Sequence, residues 1–130
     1  MTKQIAIVDD SKIIIQSLKI ALKELERSGC YCFTYFTDPM VFCEEIKTNT
    51  DSFDFFFLDI NMPRMSGLEV TKFLRANPKY VLTPIYALTT EESRETQRLG
   101  INVGMNGWIV KLTTLGMIRE QIRKTLEDVL

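Results

Sequence analysis

The chain has 130 residues, 45% of them apolar and 25% charged, with a formal net charge of −1. This fits a single domain, residues 1–130, long enough to bury a core. It lacks the basic excess that would draw it to nucleic acid or to an anionic membrane. No stretch approaches the roughly 18 apolar residues of a membrane span, and no secretory leader pattern opens the sequence, so a cytoplasmic setting is expected. Cys30, Cys32 and Cys43 form an odd set, with Cys30 and Cys32 on one face of a strand. Without a histidine or a second cysteine pair they are expected to be buried free thiols. The chain contains no histidine at all, so any histidine chemistry must come from a partner.

Strand and helix patterns alternate along the chain. Gln4–Val8 reads as a buried strand. Ser11 caps a helix running to about Arg27, with Ile14, Leu18, Leu22 and Leu25 on one stripe, and Gly29 ends it. Cys30–Phe36 is a second, aromatic-rich strand. Asp38 and Pro39 open a helix to about Lys47. Phe53–Leu58 is nearly all apolar, as expected of a strand covered on both faces. Gly67–Ala76 follows as a helix with Leu68, Phe73 and Leu74 turned inward. Pro84–Leu88 is a fourth strand, Glu91–Leu99 a helix with a weak apolar stripe, and Gly107–Val110 a fifth strand. Thr113 or Thr114 caps a last helix whose stripe is Leu115, Ile118, Ile122, Leu126 and Val129. Five strand–helix units imply an α/β fold with a parallel sheet covered on both sides.

In open parallel sheets, ligands bind beyond the carboxyl ends of the strands. Asp9, Asp10, Asp59, Thr89 and Lys111 each follow a strand in this reading, so all five line one rim. Taken singly, each has a structural role open to it: a helix cap for Asp9, Asp10 or Thr89, a turn residue for Asp59, a solvated surface lysine for Lys111. Jointly they describe chemistry. Three clustered carboxylates repel one another unless a cation lies between them. An all-oxygen set with few protein ligands suits Mg²⁺. An ammonium and a hydroxyl beside it suit a phosphoryl group. No glycine-rich phosphate loop is present, so a nucleotide is not the expected ligand. Asp59, single and central, is the better nucleophile, which leaves Asp9 and Asp10 for the metal.

These residues together resemble the receiver domain of two-component response regulators. The acidic pair Asp9–Asp10, then Asp59, Thr89 and Lys111, match its pattern, and Met62-Pro63 and Gly67 match its loop. The likeness covers essentially the whole chain. It implies a flavodoxin-like (βα)5 domain with sheet order 2-1-3-4-5. It implies that Asp59 takes a phosphoryl group from a phosphohistidine on a histidine kinase or histidine phosphotransfer protein. Asp10, Asp59 and the backbone carbonyl of Asn61 would ligate Mg²⁺, or Mn²⁺, with Asp9 assisting. Lys111 would pair with the Asp59 carboxylate and then with the phosphoryl group. Thr89 and Trp108 would form the switch. The surface made by the 91–99 helix, the 107–110 strand and the last helix would then meet a protein target. No direct nucleic-acid contact and no membrane insertion are implied. The only catalysis expected is of its own phosphorylation and dephosphorylation.

Asn61 and Glu91 are similar to the chemotaxis type, where these positions tune access of hydrolytic water, so a short-lived phosphorylated state is expected. Three positions depart from the pattern. Leu112 follows Lys111 where proline is usual and the bond is typically cis, a geometry that would cost leucine about 3 kcal/mol. Thr90 replaces a common alanine and narrows access to Asp59. Trp108 replaces Tyr or Phe. Two other readings stay open at this level: a receiver-like interaction module without phosphotransfer, and a Mg²⁺-dependent phosphohydrolase. The second lacks its usual acid/base carboxylate, because Asn61 and Ser11 occupy the offset two residues beyond the candidate aspartates.

Overall fold

A computed structural model describes the protein over residues 1–111 and 114–130. β1 (Lys3–Val8), β2 (Tyr31–Phe36), β3 (Phe55–Leu58), β4 (Ile85–Thr89) and β5 (Gly107–Val110) form one sheet ordered β2-β1-β3-β4-β5. Every neighbouring pair is parallel. The chain leaves β1 toward one edge and returns to build β3 on its other side. A crevice therefore opens beyond the carboxyl ends of β1 and β3.

α1 (Lys12–Ala21), α2 (Lys23–Arg27) and α6 (Leu115–Val129) lie on one face of the sheet. α3 (Pro39–Thr48), α4 (Gly67–Arg75) and α5 (Arg94–Val103) lie on the other. Side chains alternate across a strand, so β3 sends Phe55 and Phe57 to the first face and Phe56 and Leu58 to the second. All four are fully buried. Phe55 and Phe57 stack at 4.6 Å between centroids, while Phe56 meets Phe42 and Tyr80 edge-on.

The helix starts follow the sequence signals. Ser11 accepts from Ile14 N and Asp38 from Met40 N, with Pro39 at the first helical position. Ser66 and Glu69 form a reciprocal capping box. Thr114, one of the two candidates, caps α6 through Met117 N. Thr113 and the Lys111–Leu112 bond lie outside the described residues.

Several expectations are corrected. The first helix is two, joined at Leu22, which is fully buried with its backbone turned to ψ 1°. β3 begins at Phe55 rather than Phe53. Asp54 N bonds to Gln4 O and its carboxylate takes Gln4 N, while Phe53 N goes to the Tyr80 hydroxyl. In α4 the buried residues are Gly67, Val70, Thr71 and Leu74; Leu68 and Phe73 are half-buried. In α6, Leu115 and Val129 end the stripe exposed. Of the cysteines only Cys43 is buried, and burial pushes its thiol up to about 11. Cys30 is exposed and precedes β2, and Cys32 is half-buried. The helix expected over 91–99 runs from Arg94 to Val103, capped by Ser93. The cause of that shift lies in the site itself.

Candidate functional site

The backbone brings the rim together before any side chain acts. Asp59 N bonds to Val8 O at 2.9 Å, setting the end of β3 beside the end of β1. Lys111 N bonds to Thr89 O at 2.7 Å, setting the end of β5 beside the end of β4. Asp9, Asp10 and Asp59 each present a carboxylate oxygen within 4.8 Å of the others. Asp9 and Asp59 are buried, 2% and 9% exposed, and Asp10 is the most accessible of the three. Asp9 Oδ1 accepts from Ser11 N and Asp59 Oδ1 from Ile60 N.

Burial raises the Asp59 carboxyl above the ordinary carboxylate range. The Thr89 hydroxyl and the Lys111 ammonium pull it down, and the Asp9 charge pushes it up again. Thr89 is fully buried, and its Oγ1 also accepts from Glu91 N at 3.2 Å. Lys111 lies at the same rim with its side chain 5% exposed, but its ion pair is with Asp9 rather than with Asp59. That corrects the expected pairing: Asp9 is the more deeply buried carboxylate and has more to gain from a counter-charge.

Glu91 joins three parts of the rim. Its amide bonds to Thr89, its carboxylate accepts from Asn61 Nδ2 at 3.3 Å, and its carbonyl accepts from Trp108 Nε1 at 2.8 Å. Committed to these partners, Glu91 stays out of the helix, and α5 starts only after Ser93. The Trp108 ring lies over α5 because residue 100 is glycine; a Cβ there would come within 2.9 Å of the indole. Gly67, on the other side of the crevice, allows α4 to start against Asp59. A Cβ at 67 would fall 2.1 Å from the Asp59 carbonyl oxygen.

The five rim residues expected from the sequence thus converge, and Asn61, Glu91 and Trp108 join them through hydrogen bonds. Gly100 and Arg75 carry no motif signal yet shape the Trp108 side. Arg75 ties α4 to the α5–β5 corner through Gly104 O and Asn106 Oδ1, and to the segment before β4 through Tyr80 O and Thr83 O. A glycine inside a helical stretch was the available clue for Gly100. No motif marks Arg75, whose acceptors are carbonyls of Tyr80 and Thr83 a few residues on and groups of Gly104 and Asn106 much further along. A cavity of about 270 Å³ opens at the carboxylates, and Thr90 lines it. A larger one, about 550 Å³, lies away from them, near the starts of β1 and β3 and lined by Gln4, Glu45 and Phe53.

The model of the response regulator receiver domain family matches residues 5–123. This chain belongs to that family. It is 31% identical over 127 residues to a Chemotaxis protein CheY homolog of Campylobacter jejuni, covering 98% of this chain and 92% of the relative. It superimposes on a structure of the Vibrio cholerae chemotaxis protein CheY4 with a TM-score of 0.83 and 33% identity, over the full length of both. The Mn²⁺-bound form of the response regulator Rcp1 shares the fold at a TM-score of 0.83 and 20% identity, covering 98% of this chain and 96% of that one. The receiver domain is therefore of the CheY-like, two-component type, and the fold expected from the sequence is the fold observed. No helix among the described residues is long and apolar enough to cross a membrane.

Proposed function

We propose that this receiver domain is a phosphorylation switch in which Asp59 accepts a phosphoryl group from a phosphohistidine of a partner kinase or phosphotransfer protein. The observation that carries the reading is the convergence of Asp9, Asp10 and Asp59 within 4.8 Å beside the buried Lys111 and Thr89. The donor set is all oxygen and anionic, which fits Mg²⁺ or Mn²⁺ held by Asp10, Asp59 and the Asn61 carbonyl, with Asp9 assisting. When bound, the ion would neutralise charge on the phosphoryl oxygens. That an Rcp1 structure of the same fold carries Mn²⁺ supports the fit.

The protein's own groups divide the remaining work. Asp59, its pKa raised by burial, is still the carboxylate best presented to an incoming phosphorus, at the tip of a rigid strand. Lys111 exchanges Asp9 for a phosphoryl oxygen, and the Thr89 hydroxyl donates to another. Because Thr89 and Trp108 both bond to Glu91, a shift of the hydroxyl reaches the indole through one residue. The α5–β5–α6 surface then changes for a protein target, with Leu99 and Ile101 already exposed on α5. The Asn61–Glu91 contact tunes water access, giving a short-lived phosphoprotein. A cytoplasmic setting supplies such a partner.

Trp108 fluorescence tests the reading. Mg²⁺ followed by beryllofluoride or acetyl phosphate is expected to change the emission, and Asp59→Asn to abolish the response. Intact mass should show one added phosphoryl group on the wild type and none on the variant. Absence of any added phosphoryl group with Mg²⁺ and donor present would overturn the assignment.

A further inference from the structure

β2 ends the sheet and pairs with β1 without a bulge, residue for residue from Tyr31 to Phe36. Edge strands are ordinarily blunted by charge, proline or a bulge. Cys30–Phe36 contains no charged residue and no proline. The opposite edge, β5, has four residues against six in β2 and is followed by Lys111. Lys3 N bonds to Cys30 O and Asp9 N to Phe36 O, so the even-numbered residues of this segment turn their backbone groups to β1. The N–H and C=O of Tyr31, Phe33 and Tyr35 point the other way, and among the described residues nothing hydrogen-bonds to them. Helices α2 and α3 pack on the two faces of the strand, through Leu25 and Phe42.

We propose that this edge is an interface for a second copy of the chain, in which the two β2 strands pair antiparallel about Phe33. The segment matches itself under that twofold operation. Tyr31-Cys32-Phe33-Thr34-Tyr35 reads ring, small, ring, small, ring in both directions. Phe33 faces the partner's Phe33 and Tyr31 faces the partner's Tyr35, and each such pair exchanges both backbone hydrogen bonds. The rings already stand in a row on one face, 6.3 Å from Tyr31 to Phe33 and 6.4 Å from Phe33 to Tyr35, so aromatic cross-strand pairs form. The charges beside them are complementary. Glu127 and Arg123 flank Tyr31; Glu26 flanks Tyr35, and Lys19 Nζ lies 5.6 Å from the Tyr35 ring centroid. Setting Tyr31 against the partner's Tyr35 brings Glu127 toward the partner's Lys19 and Arg123 toward the partner's Glu26. A β2–β5 contact would run head to tail and leave further edges open, whereas the twofold contact closes. The two five-stranded sheets become one, with the β5 edges at its far ends.

The test is oligomeric state, then register. Sedimentation of the reduced full chain from about 1 µM to about 500 µM should find about half the chains paired near 100 µM, the weak association of a short interface. Thr34 is exposed, so Thr34→Lys should fold normally and place a charge in the seam. The paired fraction at that concentration should then fall below about one fifth. In the proposed register Thr34 and the partner's Cys32 form a non-hydrogen-bonded pair with Cα atoms about 4.5 Å apart, within disulfide range. Cys30→Ser/Thr34→Cys should therefore cross-link on mild oxidation. Adding Cys32→Ser leaves the two introduced thiols diagonal to each other, about 7 Å apart, and should slow the reaction about tenfold. A wild type that stays monomeric over the whole range would overturn the proposal. So would a dimer that Thr34→Lys leaves intact, because another surface would then hold it. Equal cross-linking with and without Cys32 would refute the antiparallel pairing about Phe33.

Discussion

Gly67→Ala separates two physical effects of opposite sign. Gly67 is the first residue of α4, at ordinary helical backbone angles, where alanine is favoured over glycine by up to about 1 kcal/mol. Its Cβ, however, would fall 2.1 Å from the Asp59 carbonyl oxygen, 3.0 Å from its carbonyl carbon and 3.1 Å from Ile60 Cα. All three are backbone atoms at the end of a fully buried strand, so no side chain can swing away. Relief requires α4 to lift from β3, with overpacking worth about 1–3 kcal/mol. Lifting also stretches the 2.9 Å bond from Gly67 N to Ile60 O, worth about 1 kcal/mol. The net expectation is destabilisation on the order of 2–3 kcal/mol, read as a lower urea midpoint at unchanged slope. Gly116→Ala is the control. It lies in α6 with nothing nearer than 4.0 Å among the described residues, and should stabilise by about 0.5–1 kcal/mol. A Gly67→Ala protein as stable as wild type would refute the close approach of α4 to Asp59.

Three further outcomes are expected. Lys111→Met leaves the buried Asp9 carboxylate without its partner, costing on the order of 3 kcal/mol in chelator, and Mg²⁺ should restore part of it; thermal unfolding with and without the ion checks this. The raised Asp59 carboxyl means that the folded protein holds a proton there which the unfolded chain has released, over the window from the ordinary carboxylate value up to the raised one. Metal-free stability should therefore fall as pH rises through that window. The difference between wild type and Asp59→Asn isolates the effect, and a difference independent of pH would contradict it. Arg75→Met removes the bonds to Gly104, Tyr80, Thr83 and Asn106, and should cost about 3 kcal/mol and alter Trp108 emission in the resting protein. An unchanged spectrum would show that the α5–β5 corner holds without it.

The strands and the rim were legible because each rests on a local signal. Unbroken apolar runs end in Asp9 and Asp59, and strand polarity alone places their ends on one side. What escaped the sequence depends on partners far along the chain. The start of α5 moved because Thr89 and Trp108, on two different strands, take both backbone groups of Glu91. The Lys111–Asp9 pair joins residues 102 positions apart, and only the folded rim shows that Asp9, not Asp59, is the partner. Leu115 looked like core by periodicity, yet as the first residue of α6 it stays 40% exposed, lining the cavity.

The aromatic packing of β3 makes the molecule mechanically lopsided. Asp59 is carried by four consecutive residues with no exposed surface, clamped by rings from both sides. Thr89 and Trp108 border a segment, residues 90–93, that belongs to no helix or strand and is held by a few bonds through Glu91. Amides of β3 should therefore exchange with deuterium only through global unfolding, while those of 90–93 exchange through local opening. A pull exerted at Asp59 meets a stiff support behind it and a compliant one beside it, so the displacement is delivered sideways, toward α5.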